Sequence, residues 1–577
     1  MMRIDQNQLR VERVDDIPVI YGTLSRMGIQ SIIDEALEPH ANWQGLSPGW
    51  VVTLWLVHIL SEQNHLMEPV EQWVRGHVTI LAKLSGQPVR PLDFSDDRLA
   101  MCLRDMSQKG TWRKIEEQLG LRLIRVYDLS TKTIRLDATV GTVHHQTENA
   151  ALFRLGKAKD GSYETQFKVM LASLSPLGLP LVVDVEAGNR ADDPLYIPSY
   201  ERAKTVLDGD GLLVVGDSKM SALLTRATIV AGGDCYLAPL ADRKDEPELL
   251  SSELEAWLEE GAKAELIFLP EDRPEDGSEP DPNLAIGCGF EVTRTQTAMV
   301  EGEKITWGER LLVVQSYSYM KSELAGLRRR LEKAEAALIA LTPSRQRGKK
   351  QIEEEAVLLS AIDAIEKKHR VKGFFDYDYQ QEVEERTVRG YRGKPARVEC
   401  KVRCQLTVNR NQSAIEAAEF KSGWRLYATN ELSENLSLEE AALCYRGQIV
   451  AENIFRRLHG KMLSVTPLYV QREDHAQGLI YLLTLGARVL ALGDYLAKEA
   501  LAEENAELAD IYAGNAKRST PRPTTERMLK AFKGIDLIIF PPQEQRASVL
   551  TAFRPVHERI LALLGLSTSL FFDLQTA

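Results

Sequence analysis

Five short apolar runs between residues 134 and 238 restrict the fold of this chain more than any other feature. They have the length and the β-branched composition of strands, and they occupy residues 134–136, 166–174, 179–184, 212–216 and 235–238. The turn Pro176-Leu177-Gly178 separates the second run from the third, which predicts an antiparallel hairpin. Helical segments at 195–207 and 219–231 flank the fourth run. Three strands followed by strand–helix alternation predict a mixed α/β sheet.

Two aspartates close the first and the fourth of these runs, and a glutamate lies in a later helical segment. Asp137 follows residues 133–136, and Asp217 follows residues 212–216. Glu452 lies within residues 448–459, which have helical spacing and contain neither Pro nor Gly before His459. A carboxylate at the end of a strand can face a cleft while the strand itself stays buried. The three carboxylates could therefore hold a pair of Mg²⁺ ions, which prefer oxygen ligands.

Each carboxylate also has a purely structural explanation. An aspartate after an apolar strand commonly begins a turn or caps a helix, and a single helical glutamate commonly faces solvent. The chemical interpretation therefore depends on the context of the three residues in the rest of the sequence.

The chain has 577 residues, more than one hydrophobic core usually holds, so we expect several domains. The segment between Asp217 and Glu452 is too long for a loop and predicts an inserted domain. The predicted regions are a helical N-terminal domain that binds DNA ends (1–130), the first part of the core (131–240), an inserted domain of strands and a helical hairpin (241–420), the second part of the core with the glutamate helix (421–504), and a C-terminal helical region suited to dimerisation (505–577).

The net charge of −12 is unfavourable for a protein that binds nucleic acid, but local patches decide where a polyanion docks. The densest basic stretch spans residues 386–410. Its Gly- and Pro-containing loop carries Arg389, Arg392 and Lys394, which could follow a phosphate backbone. The alternative is that this run of charges is simply a solvated face.

The sequence favours a cytoplasmic protein without a membrane span. The most apolar stretch, residues 478–492, is interrupted by Arg488 and is expected to pack against the sheet. The N-terminus lacks an apolar signal core. Six cysteines occur without a CxxC pair. We therefore expect reduced thiols and no structural zinc site.

Four segments together resemble the DDE transposases of bacterial insertion sequences, in the branch called the insertion-sequence-four superfamily. They are residues 136–139, 215–220 and 426–430 and the helix around Glu452. The signature of this branch around its glutamate matches at Tyr445 and Glu452, whereas Gln448 and His459 stand where the family has Arg and Lys. The resemblance implies an RNase H-like core interrupted by a β-rich insertion. In that fold the first and fourth strands are neighbours, so Asp137 and Asp217 would meet.

The resemblance also implies the chemistry. Two Mg²⁺ ions, for which Mn²⁺ can substitute, would hold the attacking and leaving oxygens of an in-line displacement. Asp137 would bridge both ions, and Asp217 and Glu452 would each complete one. Attack by water would nick DNA at the element end, and the resulting 3′-OH would then attack target DNA.

The implied partners are the terminal inverted repeats of the element and the target DNA, bound by a homodimer that associates with the nucleoid. The side chains predicted to contact DNA are Tyr445, Gln448, Arg456, Arg457, His459, Lys461, Arg389, Arg392 and Lys394.

Two other functions are compatible with the same residues. One is an RNase H-like nuclease that cuts DNA but never joins it. The other is a non-catalytic DNA-binding remnant of a transposase. The altered Gln448 and His459 favour this alternative, and the presence of all three acids argues against it. The sequences of the ends and of the target, nick versus hairpin chemistry and the oligomeric state stay open.

Overall fold

The chain folds as a mixed α/β protein in a computed structural model, as the strand and helix patterns predict. The structure describes residues 9–148, 150–158, 161–240, 246–274, 276–344, 351–389, 395, 397–540 and 547–575. The helices are α1 Ile17–Met27, α2 Ile29–Ala36, α3 Pro48–Glu62, α4 Val70–Arg75, α5 Val78–Ser85, α6 Asp96–Met106, α7 Lys109–Tyr127, α8 Tyr196–Leu207, α9 Leu223–Ala231, α10 Glu246–Glu260, α11 Tyr317–Ile339, α12 Glu355–His369, α13 Gln412–Lys421, α14 Leu438–Arg446, α15 Ile449–His459, α16 Glu473–Glu503, α17 Thr525–Lys530, α18 Pro555–Leu563 and α19 Ser569–Phe572.

The strands belong to one large sheet and two small ones. They are β1 Arg10–Arg13, β2 Thr133–Thr142, β3 Arg154–Lys157, β4 Tyr163–Leu174, β5 Leu179–Ala187, β6 Leu213–Gly216, β7 Cys235–Pro239, β8 Glu265–Ile267, β9 Gly287–Val300, β10 Glu303–Ser316, β11 Phe375–Val388, β12 Arg397–Arg410, β13 Trp424–Thr429, β14 Asp536–Ile539 and β15 Val549–Leu550. The large sheet has the order β3-β4-β2-β6-β7-β13-β10-β9-β8, with β5 also paired to β4.

The predicted strands form the centre of this sheet in the order β5-β4-β2-β6-β7. The pairs β5–β4 and β4–β2 are antiparallel, which confirms the predicted hairpin, and Gly178 makes its turn at a φ of 70°. The pairs β2–β6 and β6–β7 are parallel. The first and fourth predicted strands are therefore neighbours, as expected.

The position of Asp137 within its strand differs from the prediction. The sequence places Asp137 at the end of a strand, but β2 continues to Thr142 because β4 pairs with it along that whole length. The pairing of β2 with β6 does end here, at Leu136 opposite Gly216. Asp137 therefore lies in the middle of a strand, at the point where the sheet opens on one side.

The long segment between Asp217 and Glu452 does two different things. Its strands β8, β9, β10 and β13 extend the central sheet outward from β7. Helices α11 and α12 and the hairpin β11–β12 instead form a separate unit with their own hydrophobic core, which includes Leu331, Ile362 and Leu406. The strands and the helical pair expected in this segment are thus present.

The two ends of the chain join the same main core. Strand β1 pairs antiparallel with β14, because Leu537-Ile538-Ile539 supply a β-branched apolar run that the prediction of a helical C-terminal region missed. Helix α16 is long and apolar enough to span a membrane, but most of its apolar stretch is buried inside the protein. It contacts β5, α3 and α6, which confirms the prediction that it packs against the sheet.

Candidate active site

Helix α15 lies on the face of β2 that carries Asp137. Alternate residues of a strand point to the same face, so Arg135, Asp137 and Thr139 share one side of the sheet. Arg135 Nη1 donates to the Gln448 side-chain oxygen over 3.3 Å, and Thr139 Oγ1 lies 3.2 Å from His459 Nε2. The two contacts attach the first and last turns of the helix to the strand.

These two contacts place Glu452 opposite Asp137. Positions 448, 452 and 459 fall on one face of a helix, since residues four and seven apart lie in one row. The eleven-residue step from Gln448 to His459 spans roughly 16 Å of helix, close to the roughly 13 Å of strand between Arg135 and Thr139. Glu452 lies between the two attachment points, as Asp137 does, and its side chain is exposed.

Arg135 makes this attachment from inside the protein. Its guanidinium also donates to the Cys444 carbonyl oxygen over 2.9 Å and to Ser175 Oγ over 3.2 Å. Burial lowers the pKa of Arg135, and among the described residues it forms no ion pair with a carboxylate. The cation is therefore satisfied by neutral acceptors beneath the junction of α14 and α15.

Asp217 immediately follows β6 and is held in place by two donors. Its Oδ1 accepts hydrogen bonds from the Tyr196 hydroxyl over 2.6 Å and from the Lys219 backbone N–H over 2.9 Å. Tyr196 is buried at the start of α8. Both donors use the same oxygen, so the second carboxylate oxygen has no hydrogen-bond partner among the described residues.

Asp137 is half-buried in an environment that disfavours its negative charge. Burial is the largest cause and raises the pKa of Asp137 to about 7. The hydrogen bond from the Ala138 N–H, at 2.8 Å, opposes this rise, whereas the carboxylates of Asp217 and Glu452 add to it. Within the described part of the chain, neither Asp137 nor Asp217 forms an ion pair with a Lys or Arg.

A fourth carboxylate nearby differs from these three because it is neutralised. Asp192 contributes to the raised pKa of Asp137, so it lies within electrostatic reach of the site. Its carboxylate pairs with Lys168, and Lys219 Nζ lies 3.6 Å from it. The excess negative charge at this edge of the sheet therefore rests on the three predicted acids.

The donor chemistry of these acids fits a hard divalent cation. Carboxylate oxygens are the ligands that Mg²⁺ and Mn²⁺ prefer. Burial raises the pKa of Asp137 most, and a cation would offset the repulsion from neighbouring carboxylates that adds to this rise. Among the residues that the structure describes, no three His, Cys, Asp or Glu side chains are grouped closely enough to form a ready-made metal site. Because Glu452 is exposed, its side chain is the one with room to move toward the two aspartates.

Two tyrosines border the carboxylates, and the sequence analysis identified only one of them. The Tyr445 ring lies 4.8 Å from the Tyr427 ring, and burial raises the pKa of Tyr445, with added contributions from Tyr427 and Asp217. Burial and the neighbouring Asp217 also raise the pKa of Tyr196. Both phenols therefore stay protonated near pH 7 and act as O–H donors. The signal for Tyr196 was its place at the start of the helix before β6, where no motif marks it.

The remaining side chains predicted to contact DNA fall into distinct environments. Arg456 and Lys461 are exposed beside the site. Arg457 is half-buried and pairs with Asp494 and Glu526 at 2.6 and 2.8 Å.

The two positions that depart from the family signature both face β2. Gln448 is buried, and its amide nitrogen has no hydrogen-bond partner among the described residues. His459 is half-buried, and burial lowers its pKa, so that it is neutral near pH 7.

Most of the predicted basic loop, residues 390–394 and 396, lies outside the described residues. Arg389 is exposed at the end of β11. Arg392 and Lys394 lie outside the described residues.

Comparisons with known proteins add little to this geometry. A family model described as a domain of unknown function, DUF4277, matches residues 9–117, which run from β1 into α7. A search of curated proteins gives no match. Among solved structures, a piggyBac transposase synaptic complex with hairpin DNA is similar at 8% sequence identity and a TM-score of 0.34, covering 97% of this chain and 88% of that chain.

Proposed function

We propose that this protein is a DDE transposase that cuts DNA at the ends of a mobile element and joins them to target DNA. One observation carries the proposal. Asp137 and Asp217 lie at neighbouring strands where the pairing of β2 with β6 ends, and α15 is attached to β2 so that Glu452 comes opposite Asp137.

The proposed fold of the core is RNase H-like. The central strand order, with β2 antiparallel to β4 and parallel to β6, supports it. The extension of the sheet by β13, β10, β9 and β8 before the glutamate helix agrees with the β-rich insertion of the insertion-sequence-four branch.

In this proposal Asp137, Asp217 and Glu452 hold two Mg²⁺ or Mn²⁺ ions. Such ions, when bound, lower the pKa of an attacking water or 3′-OH and stabilise the leaving oxygen at phosphorus. A bound cation would favour the ionised form of Asp137, because it would offset the charge of the neighbouring carboxylates.

The surrounding residues orient the carboxylates. Tyr196 and the Lys219 N–H fix one oxygen of Asp217 and leave the other free to act as a ligand. Arg135 and Thr139 fix the helix that carries Glu452, so only the glutamate side chain has to move. The Tyr445 hydroxyl is a protonated donor suited to a phosphate oxygen near the cut.

The partners are the terminal inverted repeats and the target DNA, and joining two ends calls for a homodimer. The test is cleavage of DNA that bears the repeats flanking the gene, with Mg²⁺ or Mn²⁺. We expect metal-dependent formation of a 3′-OH at the edge of the repeat, abolished by Asp217→Asn.

Asp192→Asn is the matched control, because Asp192 is a nearby carboxylate already neutralised by lysine. It should retain most of the cleavage. Binding of DNA without cleavage by the wild-type protein would contradict the proposal and favour a non-catalytic remnant. Cleavage without transfer of the 3′-OH to a second duplex would favour a nuclease.

A further inference from the structure

A large groove begins next to Glu452 and extends along the C-terminal part of the chain. It has a volume of about 1440 Å³ and lies between α15, α16 and residues 510–533, with Arg554 also in its lining. On the α15 side it is lined by Asn453 and Arg456, which follow Glu452 by one and four residues. The groove therefore borders the helix that carries Glu452.

The charge of the groove is opposite to that of the whole protein. Among the described residues, eight basic and three acidic side chains line it, an excess of five positive charges in a chain whose net charge is −12. Two of the arginines form ion pairs with all three of these acids. Arg457 pairs with Asp494 and Glu526, and Arg554 pairs with Asp510 at 2.9 Å.

The charges of the other six basic side chains are not offset by a described acidic partner. Each is exposed, and none forms an ion pair within the described part of the chain. They are Arg456, Lys461, Arg518, Arg527, Lys530 and Lys533. Like charges gathered in a groove repel one another, so this arrangement favours the binding of a polyanion.

Two of these arginines are held in place without losing their charge. The guanidinium carbons of Arg518 and Arg527 each lie 4.2 Å from the centre of the Tyr512 ring. A cation–π contact orients a guanidinium while its N–H donors stay available, and a guanidinium fork matches two phosphate oxygens. The Tyr512 ring thus presents two arginines to whatever enters the groove.

We infer that this groove binds the sugar–phosphate backbone of duplex DNA on one side of the bond that is cut. The inference rests on the proposed function, because Asn453 and Arg456 in the lining of the groove lie on α15, the helix that carries Glu452. Lysines, arginines and the amide of Asn453 are the side chains that contact phosphate oxygens in protein–DNA interfaces. The C-terminal segment, which the sequence suggested for dimerisation, supplies four of the six unpaired cations.

The test is the binding of a fluorescently labelled duplex of about 40 base pairs in EDTA, so that no cleavage intervenes, over a series of salt concentrations. The groove variant is Arg527→Glu with Lys530→Glu, both on α17. The matched control is Arg329→Glu with Lys333→Glu, two exposed cations on α11 that make the same change in charge. The milder Arg527→Gln with Lys530→Gln is included in case the charge reversal impairs folding, which circular dichroism reports.

We expect the groove reversal to raise the Kd at least about 30-fold and to lower the slope of log K against log salt by about two, since each phosphate contact contributes about 0.9. The control should change the Kd less than about threefold, because non-groove cations contribute only to the general field. Equal losses in both variants, or none in the groove variant, would overturn the inference while leaving cleavage intact. Tighter binding of single-stranded RNA than of duplex DNA would also overturn it.

The outcomes separate this inference from the proposed function. A wild-type protein that binds duplex DNA through the groove but never cuts it supports the groove and contradicts the transposase. A protein that cuts DNA at repeat ends with the groove variant as active and as tightly bound as wild type supports the transposase and contradicts the groove.

Discussion

The hairpin β11–β12 and the groove beside α15 both contain many basic residues, but they differ in the balance of charge. In the two strands of the hairpin, residues 375–388 and 397–410, the sequence has six acidic and five basic residues, whereas the described lining of the groove has an excess of basic side chains. The hairpin contains the densest basic stretch in the sequence. Its partner strand is acidic, and Arg403 Nε donates to Glu382 over 2.7 Å across the two strands. At the base of the hairpin, Arg410 pairs with Glu335 of α11 at 2.6 Å.

The backbone register of the hairpin sets Arg403 directly opposite Glu382. The six unpaired cations of the groove come instead from positions far apart in the sequence, from Arg456 to Lys533, and the fold brings them together. The difference shows that charge density along a sequence measures local composition, whereas binding of a polyanion depends on the charge left after folding.

We expect the greatest change for a substitution that should abolish cleavage and leave DNA binding by the groove intact. Glu452→Gln removes one carboxylate and preserves the size and packing of the side chain. We expect cleavage to fall by about 10³-fold or more, as for loss of a group that stabilises the transition state, with the Kd for duplex DNA changed less than about threefold. Single-turnover cleavage and anisotropy on the same duplex measure the two quantities. A variant that still cuts at the wild-type rate would remove Glu452 from the site.

The next effect concerns a buried cation that belongs to neither basic region. Arg135→Met removes the donor that attaches α15 to β2, so Glu452 should lose its alignment with Asp137. We expect cleavage to fall by about 30- to 100-fold, since misplacement by about 1 Å has effects of this size, without a matching change in DNA affinity.

Arg135→Lys is the control for that variant, because it keeps the charge and part of the hydrogen bonding and should recover some activity. A purely structural role would instead reduce thermal stability, cleavage and DNA binding together in both variants. Differential scanning fluorimetry distinguishes the two outcomes.

A smaller effect compares the two basic regions directly. Arg456→Ala in the groove should raise the Kd for duplex DNA by about fivefold to tenfold. The substitution removes an arginine that has no acidic partner and with it one contact to a phosphate. Arg403→Ala in the hairpin should change the Kd less than about twofold, because that arginine is already paired with Glu382. Comparable losses in both variants would break the distinction between paired and unpaired cations.

The smallest effect is on stability, at the carboxylate beside the groove. The pKa of Asp137 is about 7 in the folded protein against 3.8 for an isolated aspartate. Ionisation is therefore harder in the folded state, and the wild-type protein loses stability relative to the unfolded chain as the pH rises from about 4 to about 7. Asp137→Asn removes this loss.

We expect Asp137→Asn, in EDTA, to melt at a higher temperature than wild type, with a gain on the order of 2 °C that grows between pH 5 and pH 8. Mg²⁺ should narrow the gap by stabilising the wild-type site. Asp192→Asn should give no such gain, since its carboxylate is paired with lysine. A gain for Asp137→Asn that shrinks as the pH rises would contradict the assigned environment.

The sequence predicted the central sheet well because its strands are short, apolar and separated by clear turns. It could also bring Asp137 and Asp217 together once the strand order was assumed. It placed Asp137 at the end of a strand because the apolar run stops there, whereas the strand continues through pairing with β4. Periodicity reports which side chains are buried and carries no information on how far a neighbouring strand extends.

The groove and the attachment of α15 were beyond sequence reasoning for a related reason. Nothing in the sequence marks Arg527, Lys530 and Lys533. They come to line one groove because the C-terminal segment packs against α15 and α16. Gln448 and His459 depart from the family signature. Gln448 contacts Arg135, and His459 contacts Thr139. Their role in positioning depends on side chains more than 300 residues away along the chain.

Binding of Mn²⁺, followed by electron paramagnetic resonance, measures whether Asp137, Asp217 and Glu452 form one divalent cation site. The titration compares wild type with Asp217→Asn and Glu452→Gln, each with duplex DNA present. We predict about two bound Mn²⁺ per chain in the wild-type protein, as in two-metal phosphoryl-transfer sites, and a loss of bound Mn²⁺ in both variants. The same stoichiometry and affinity in all three proteins would contradict it.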